Sequence, residues 1–214
     1  MTDFLEKGDD EIDSMAGETL TQDEYHAEEL TGEALLRPEL CIYCWRSMYR
    51  RAFLTEHNLH FVPHLYGSED VPFADECFLK AGKCLHAHWN MFIYRQRPGS
   101  ITSRYNMRRA HDMCTTLYML WERTKLTTLT PTMRQRQLDI VYSFFREYIY
   151  AISYGHLKAT TEMVAAIDTL RQRMPDLRLG GGLKRRIIIY MYARSPHLFV
   201  YACYAANWLR KRLG

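Results

Sequence analysis

Two small groups of charged residues in this chain could take part in chemistry. Glu69 and Asp70 are adjacent carboxylates, and a carboxylate held close to a hydroxyl can accept its proton, as a general base must. Arg95 and Arg97 are two positions apart on a predicted strand, so their guanidinium groups lie on one face. Two such groups can hold the oxygens of a diphosphate and offset charge on a leaving nucleotide.

Each group also has a structural interpretation. Acidic residues in the first turn of a helix interact favourably with the helix dipole, and this alone would explain Glu69 and Asp70. Arg95 and Arg97 could lie on a surface strand and pair with these two acids. Both interpretations stay open while the groups are considered separately.

The residues around the two groups predict short elements. Ser68 can cap a helix over residues 69–81 that ends at Gly82. Residues 60–68 predict a loop, and residues 50–57 predict one or two helical turns. The predicted strands, rich in β-favouring and aromatic side chains, are residues 40–48, 83–87 and 89–97.

Charge is divided unevenly along the chain. Residues 1–39 contain 13 acids and 2 bases, whereas residues 40–214 contain 12 acids and 26 bases. We call residues 1–39 the acidic leader. Its sequence predicts an irregular segment over residues 1–21 and short helices over 21–30 and 31–36. A basic body favours an anionic partner, and without a nucleic-acid reader motif we expect nucleotide phosphates or a membrane surface rather than nucleic acid.

The last half of the chain has helical periodicity. The predicted helices are residues 107–126, 131–157, 160–174 and 183–213. Pro196 interrupts the last of them, and Ser195 is its candidate cap.

Three blocks of sequence follow one another in order. They are Trp45-Arg46-Ser47-Met48-Tyr49-Arg50-Arg51-Ala52-Phe53-Leu54, Glu69-Asp70-Val71-Pro72-Phe73 and Tyr94-Arg95-Gln96-Arg97-Pro98-Gly99-Ser100-Ile101-Thr102. Together they resemble the second, acceptor-side half of the catalytic domain of family-2 glycosyltransferases. These are inverting GT-A enzymes that build bacterial surface polysaccharides.

The resemblance implies roles for individual residues. Asp70 would be the general base that deprotonates the acceptor hydroxyl, and Glu69 a supporting or acceptor-binding carboxylate. Trp45 would offer a flat wall to a sugar ring, although it could equally be a core residue. The residues implied in substrate binding are Trp45, Tyr49, Arg50, Arg95, Arg97 and Ser100.

The nucleotide-binding half of that family has no counterpart in the sequence. Asp9, Asp10 and Asp13 lie in the acidic leader without an apolar strand before them, so no metal ligands are assigned. We therefore interpret the chain as a shortened glycosyltransferase, and expect it to bind nucleotide sugars poorly and to be inactive alone. The resemblance implies Mg²⁺ or Mn²⁺ for the intact enzyme and no cofactor for this chain.

The sequence thus predicts a predominantly helical α+β protein. A small remnant sheet of a partial GT-A domain would be followed by a helical C-terminal region. The predicted divisions are an acidic leader with short helices at 1–39, the acceptor-side part of the catalytic domain at 40–105, and the helical region at 106–214.

Two functions are compatible with these observations. In the first, the chain belongs to a glycosyltransferase that moves a sugar from a nucleotide-sugar donor to a surface polysaccharide or lipid-linked acceptor. In the second, it is a non-enzymatic helical binding or scaffold protein that retains a degenerate glycosyltransferase half. The sequence upstream of Met1 would distinguish them.

The C-terminal segment 183–214 carries seven bases and no acid among many aromatic and aliphatic residues. Such helices can lie in a membrane interface, or they can pack on the domain with solvated bases. No signal peptide or stretch of ~18 apolar residues is present. We expect a cytoplasmic protein that attaches peripherally to the inner face of the cytoplasmic membrane.

Cysteine and histidine residues raise the question of zinc. Cys41-x-x-Cys44 precedes His86 and His88 by some forty positions, and strand alternation would place the two cysteines on opposite faces. We therefore predict no zinc site and reduced thiols.

Overall fold

The computed structural model describes residues 2–8, 27–36, 43–96, 107–154, 161–175, 177 and 182–213. Over these residues the protein is α+β and predominantly helical, which confirms the predicted fold class. The strands are β1 (Thr2–Gly8), β2 (Ala27–Thr31) and β3 (Lys83–Gln96). The α-helices are α1 (Arg51–Glu56), α2 (Asp70–Lys80), α3 (Met107–Arg123), α4 (Pro131–Tyr154), α5 (Thr161–Arg173), α6 (Leu183–Arg194) and α7 (Pro196–Leu213).

A three-stranded sheet has the order β1-β3-β2. Strand β3 is central, pairing antiparallel with β2 and parallel with β1. Strand β3 is continuous from Lys83 to Gln96. The sequence predicts two strands, 83–87 and 89–97, so the predicted break at residue 88 is wrong. Residue 97 lies outside the described residues.

Both outer strands come from the leader, where the sequence predicts other structure. The irregular segment predicted over 1–21 is wrong over 2–8, and the helix predicted over 21–30 is wrong over 27–30. Residues 9–26 lie outside the described residues. Cross-strand partners explain β2, because Glu28 faces His86 in the register and Lys83 Nζ lies 2.9 Å from Glu29 Oε2. Pairing with β3 outweighs local helix preference.

The strand predicted over residues 40–48 is also wrong where the structure describes it. Residues 44–46 form a 3₁₀ turn, closed by a bond from the Ser47 N–H to the Cys44 carbonyl at 3.1 Å. This turn, Cys44–Arg46, contacts α2 and β1. Tertiary packing therefore overrides the β-favouring composition. Residues 40–42 lie outside the described residues.

The remaining short elements agree better with the sequence. A 3₁₀ helix covers Gly32–Leu35 within the predicted helix 31–36, and α1 lies within the predicted residues 50–57. The long helices begin and end within a few residues of their predicted bounds. The break at Pro196 is confirmed, and the Leu198 N–H donates to Ser195 Oγ at 3.4 Å, as a cap should.

Two clusters of buried side chains hold these elements together. The larger combines the Gly32–Leu35 turn with the C-terminal helices, where α3 packs on α4 and α5, and α7 packs on α4, α5 and α6. Its largest buried side chains include Leu117, Phe145, Tyr148, Tyr192 and Phe199. The smaller cluster is centred on Leu59, Phe73 and Cys77. It lies under the loop that leads into α2.

Within the ranges that the structure describes, no helix is long and apolar enough to cross a bilayer.

Candidate active site

The two adjacent carboxylates occupy the first positions of α2. Asp70 is the first helical residue and Glu69 is its N-cap, with helical backbone angles and no side-chain cap bond. Ser68 does not cap the helix, which corrects the sequence prediction. Its φ of 69° is left-handed, and its hydroxyl donates to the Gly67 carbonyl instead. A left-handed serine is strained, so this strain lies directly before the acid pair.

Asp70 has the electrostatic character of a proton acceptor. Burial raises the pKa of its carboxyl from 3.8 to about 6, and the neighbouring Glu69 charge adds to the effect, while backbone N–H donors oppose it. Within the described ranges, no basic side chain forms an ion pair with Glu69 or Asp70. The charged form of Asp70 is therefore favoured by backbone N–H groups and by no described basic side chain.

The 3₁₀ turn Cys44–Arg46 brings the first sequence block next to the acid pair. Burial raises the pKa of the Cys44 thiol to about 11, with further contributions from the charges of Asp70 and Glu69. The turn also contacts α2, the helix that begins at Asp70. Trp45 is half-buried there, with its ring centroid 5.6 Å from that of Tyr43.

Tyr49 and Arg50, the other candidate site residues of the first block, follow the 3₁₀ turn in the chain. The Tyr49 ring meets the edge of Phe73 at 5.3 Å between centroids, and Phe61 stacks on Phe73 at 4.2 Å. Phe73 is three positions after Asp70, so this aromatic group lies within one helical turn of it. Arg50 is exposed and precedes α1.

The third block is described only in part. Arg95 lies on β3 opposite Lys7 of β1, and β1 contacts the turn that holds Trp45. Arg97 and Ser100 lie outside the described residues. The paired-arginine clamp and its link to the acid pair therefore stay predictions.

Sequence reasoning missed the attachment of the loop that precedes the acids. Asp112 of α3 accepts the N–H groups of Tyr66 and Gly67 through Oδ2, at 3.3 and 3.0 Å. The guanidinium of Arg108 lies 4.0 Å from the centre of the Tyr66 ring. A Cβ on Gly67 would lie 3.1 Å from Arg109 Cγ, so glycine allows this close approach. Asp112 is 46 and 45 positions away from Tyr66 and Gly67, so no local sequence signal predicts these bonds.

A buried polar network was missed as well. Asp75 is fully buried in the second turn of α2, and its Oδ2 accepts from Arg123 Nη1 at 2.7 Å. Gln137 Nε2 donates to the same carboxylate at 2.9 Å. Arg123 also donates to the Pro72 carbonyl at 2.7 Å and to Glu76 at 3.0 Å. The network fixes α2 against α3 and α4.

A divalent ion is implied by the resemblance noted above. Across the described residues, no three of histidine, cysteine, aspartate and glutamate are grouped as metal ligands would be.

Comparison with known proteins gives one partial match. A stretch of 60 residues is 35% identical to the uncharacterized glycosyltransferase EpsJ of Bacillus subtilis (strain 168). It covers 28% of this chain and 17% of that protein, so the chain spans a small part of this relative's length. No family model matches the chain, and no solved structure matches it. The match supports a partial similarity to a glycosyltransferase.

Proposed function

We propose that this chain carries the acceptor-side chemistry of an inverting, family-2 type glycosyltransferase. Asp70 is the general base, and Glu69 is a supporting or acceptor-binding carboxylate. The donor is a nucleotide sugar and the acceptor is a surface polysaccharide or a lipid-linked glycan. Transfer takes place in the cytoplasm, and Mg²⁺ or Mn²⁺ would serve the intact enzyme.

One observation carries the proposal. A partly buried carboxylate at the start of α2 has its pKa raised to about 6, and no described base is paired with it. A general base acts best when its pKa lies near the working pH, because it is then deprotonated and still basic. The partial similarity to a glycosyltransferase supports a glycosyltransferase-like role for the chain.

The reaction balances as a single displacement. The acceptor hydroxyl gives its proton to the Asp70 carboxylate while its oxygen forms a bond to the anomeric carbon of the donor sugar. The bond from that carbon to the nucleotide diphosphate breaks, and the diphosphate leaves with the electron pair. Trp45, Tyr49 and Arg50 are the proposed acceptor-side contacts. Arg95, Arg97 and Ser100 are the proposed diphosphate contacts.

The proposal can be tested on the chain alone through its acceptor. Saturation-transfer NMR with a panel of oligosaccharides should show binding that changes with pH around 6. Asp70→Asn should remove that pH dependence, because the amide does not titrate. Glu56→Gln, an exposed acid on α1, is the matched control and should behave as wild type.

Two outcomes would contradict the proposal. One is that no oligosaccharide binds. The other is that binding keeps its pH dependence in Asp70→Asn. Either result would favour the alternative of a non-enzymatic helical binding or scaffold protein.

A further inference from the structure

Helices α6 and α7 each have an apolar face that the described part of the protein leaves in solvent. On α6 the exposed side chains are Leu183, Ile187 and Tyr190, and on α7 they are Leu198, Tyr201, Trp208 and Leu209. Between 45% and 73% of each side chain is accessible. Their spacing places the members of each set on one side of their helix.

The opposite sides of the same helices are packed. Tyr192 of α6 and Phe199, Val200 and Cys203 of α7 belong to the main core. Packing therefore uses one side of each helix and leaves the other apolar side uncovered. This divides the aromatic residues that the sequence grouped together, since Tyr192 and Phe199 are not available to a partner.

Charge identifies the kind of partner. Residues 183–214 contain seven bases and no acid. Arg186 and Arg194 share the exposed side of α6, and both are exposed. On α7, the guanidinium of Arg212 lies 4.1 Å from the centre of the exposed Trp208 ring. Bases beside exposed aromatic and aliphatic side chains are suited to a surface with negative headgroups and an apolar interior.

We propose that the exposed faces of α6 and α7 dock on an anionic phospholipid bilayer. The helices lie in the interface, the apolar side chains enter the boundary of the acyl region, and the bases contact the headgroups. Ser195 and Pro196 break the segment between the two helices, and Arg194 further interrupts its apolar character. Both features suit helices that lie on a membrane.

The first experiment measures sedimentation of the full chain with vesicles. Vesicles of phosphatidylcholine alone are compared with vesicles that also contain phosphatidylglycerol. Binding should require the anionic lipid. It should also weaken as salt increases, because exposed charges are screened over about 8 Å at physiological ionic strength. Equal binding to both kinds of vesicle would overturn the proposal.

The second experiment removes charge from the docking faces. The variant Arg186→Gln, Arg194→Gln, Arg212→Gln should lower the partition coefficient on the order of tenfold to 100-fold, since each engaged base contributes about fivefold. The control replaces three exposed bases elsewhere, Arg51→Gln, Lys80→Gln and Lys83→Gln, and should bind nearly as wild type. An equal loss in both variants would show nonspecific attraction and overturn the assignment to these faces.

The third experiment removes apolar contact without disturbing the core. Tyr201→Ser with Trp208→Ser should weaken binding at every salt concentration. The control, Met48→Ser with Leu126→Ser, changes exposed apolar residues elsewhere and should have no effect. Sedimentation velocity without lipid tests whether a second copy of the chain covers these faces instead of a membrane. A dimer that Tyr201→Ser with Trp208→Ser dissociates would assign the faces to a second copy and overturn the proposal.

The vesicle experiments test membrane docking separately from the proposed catalytic role of Asp70. Asp70→Asn should bind vesicles like wild type. Loss of vesicle binding in that variant would contradict a docking surface confined to α6 and α7. Failure of vesicle binding in the wild type would leave the acceptor experiments with Asp70 unaffected.

Discussion

Helix α2 carries two partly or wholly buried aspartates that have opposite surroundings. Asp75 has no exposed surface and is held by Arg123 and Gln137. Asp70, five positions earlier, has backbone donors and a neighbouring acid. Burial raises the pKa of both carboxyls. In Asp75 this effect is opposed by Arg123, whereas in Asp70 the nearest charge increases it.

The different surroundings of Asp75 and Asp70 suit different roles, the first in anchoring a helix and the second in proton transfer. A carboxylate whose oxygens are occupied by a guanidinium and an amide holds helices together and has little freedom to react. The Asp70 carboxylate lies at the helix start, directly after a strained loop, and it is only partly buried and has no ion pair with a described base. Asp75 therefore holds α2 in place, and Asp70 is presented at its end.

The largest expected effect comes from breaking the anchor. Arg123→Met keeps much of the side-chain volume and leaves Asp75 buried without its cation. The free energy of unfolding should fall by about 3–5 kcal/mol, as measured by urea denaturation. Lys83→Met removes an exposed ion pair with Glu29 and should change the free energy of unfolding by about 1 kcal/mol or less. Similar losses in the two variants would mean that the network does not anchor α2.

The next effect concerns the rate of glycosyl transfer in an enzyme completed with a nucleotide-binding half. Asp70→Asn should lower turnover by about 10²–10⁴-fold, because the amide cannot accept the acceptor proton. Donor binding should persist, since the base acts on the acceptor. Glu69→Gln should have a smaller effect. If Glu69→Gln were the more damaging change, the two roles would have to be exchanged.

A third prediction uses the pH dependence of stability. The pKa of Asp70 is about 6 in the folded protein and 3.8 in the reference state, so the folded state binds this proton more tightly. The resulting stabilisation is complete below about pH 4 and is lost as pH rises through about 6. Its size should be on the order of 1–2 kcal/mol after allowance for partial exposure.

Urea denaturation of wild type and Asp70→Asn at a series of pH values measures how much protonation of Asp70 contributes to the free energy of unfolding. The variant should gain stability relative to wild type between about pH 4 and pH 6. Asp75 is present in both proteins, so its own titration largely cancels in the difference. A constant difference across this range would show that Asp70 titrates normally.

The smallest effect concerns the strained residue before the acids. Ser68→Gly should stabilise the protein by up to about 1 kcal/mol, because glycine adopts a φ of 69° without a Cβ conflict, partly offset by a more flexible unfolded chain. Thermal unfolding measures the change. Ser195→Gly is the comparison, since Ser195 has an extended φ of −164° and caps α7, and it should be slightly destabilising. Destabilisation by Ser68→Gly would show that the serine hydroxyl matters more than the strain.

Local patterns were sufficient for some parts of the fold. The helices α2 to α7 follow from apolar spacing, and the break before α7 follows from Ser195 and Pro196. The acid pair was placed correctly at a helix start, because the apolar positions of α2 recur at helical spacing directly after it, although the assignment of Ser68 as the cap was wrong. Its assignment to catalysis is a proposal.

Other parts depended on distant residues. Strands β1 and β2 come from an acidic segment in which the sequence predicts no strand. They become strands because β3 offers backbone partners to both, and Lys83 of β3 pairs with Glu29 of β2. Residues 44–46 lie within a predicted strand and form a 3₁₀ turn, which contacts α2 and β1. In both cases the deciding contacts lie far along the chain.

The sequence by itself determined the helical character of the C-terminal half, the position of two carboxylates at the start of a helix, and the excess of bases at residues 183–214. These features depend on spacing and composition, which are local. The tertiary structure decided that Asp75 is a fully buried anchor while Asp70 is only partly buried, and that Tyr192 and Phe199 are buried while Tyr201 and Trp208 are exposed. A side chain's burial and charge environment are set by elements from other parts of the chain, so no local pattern contains them.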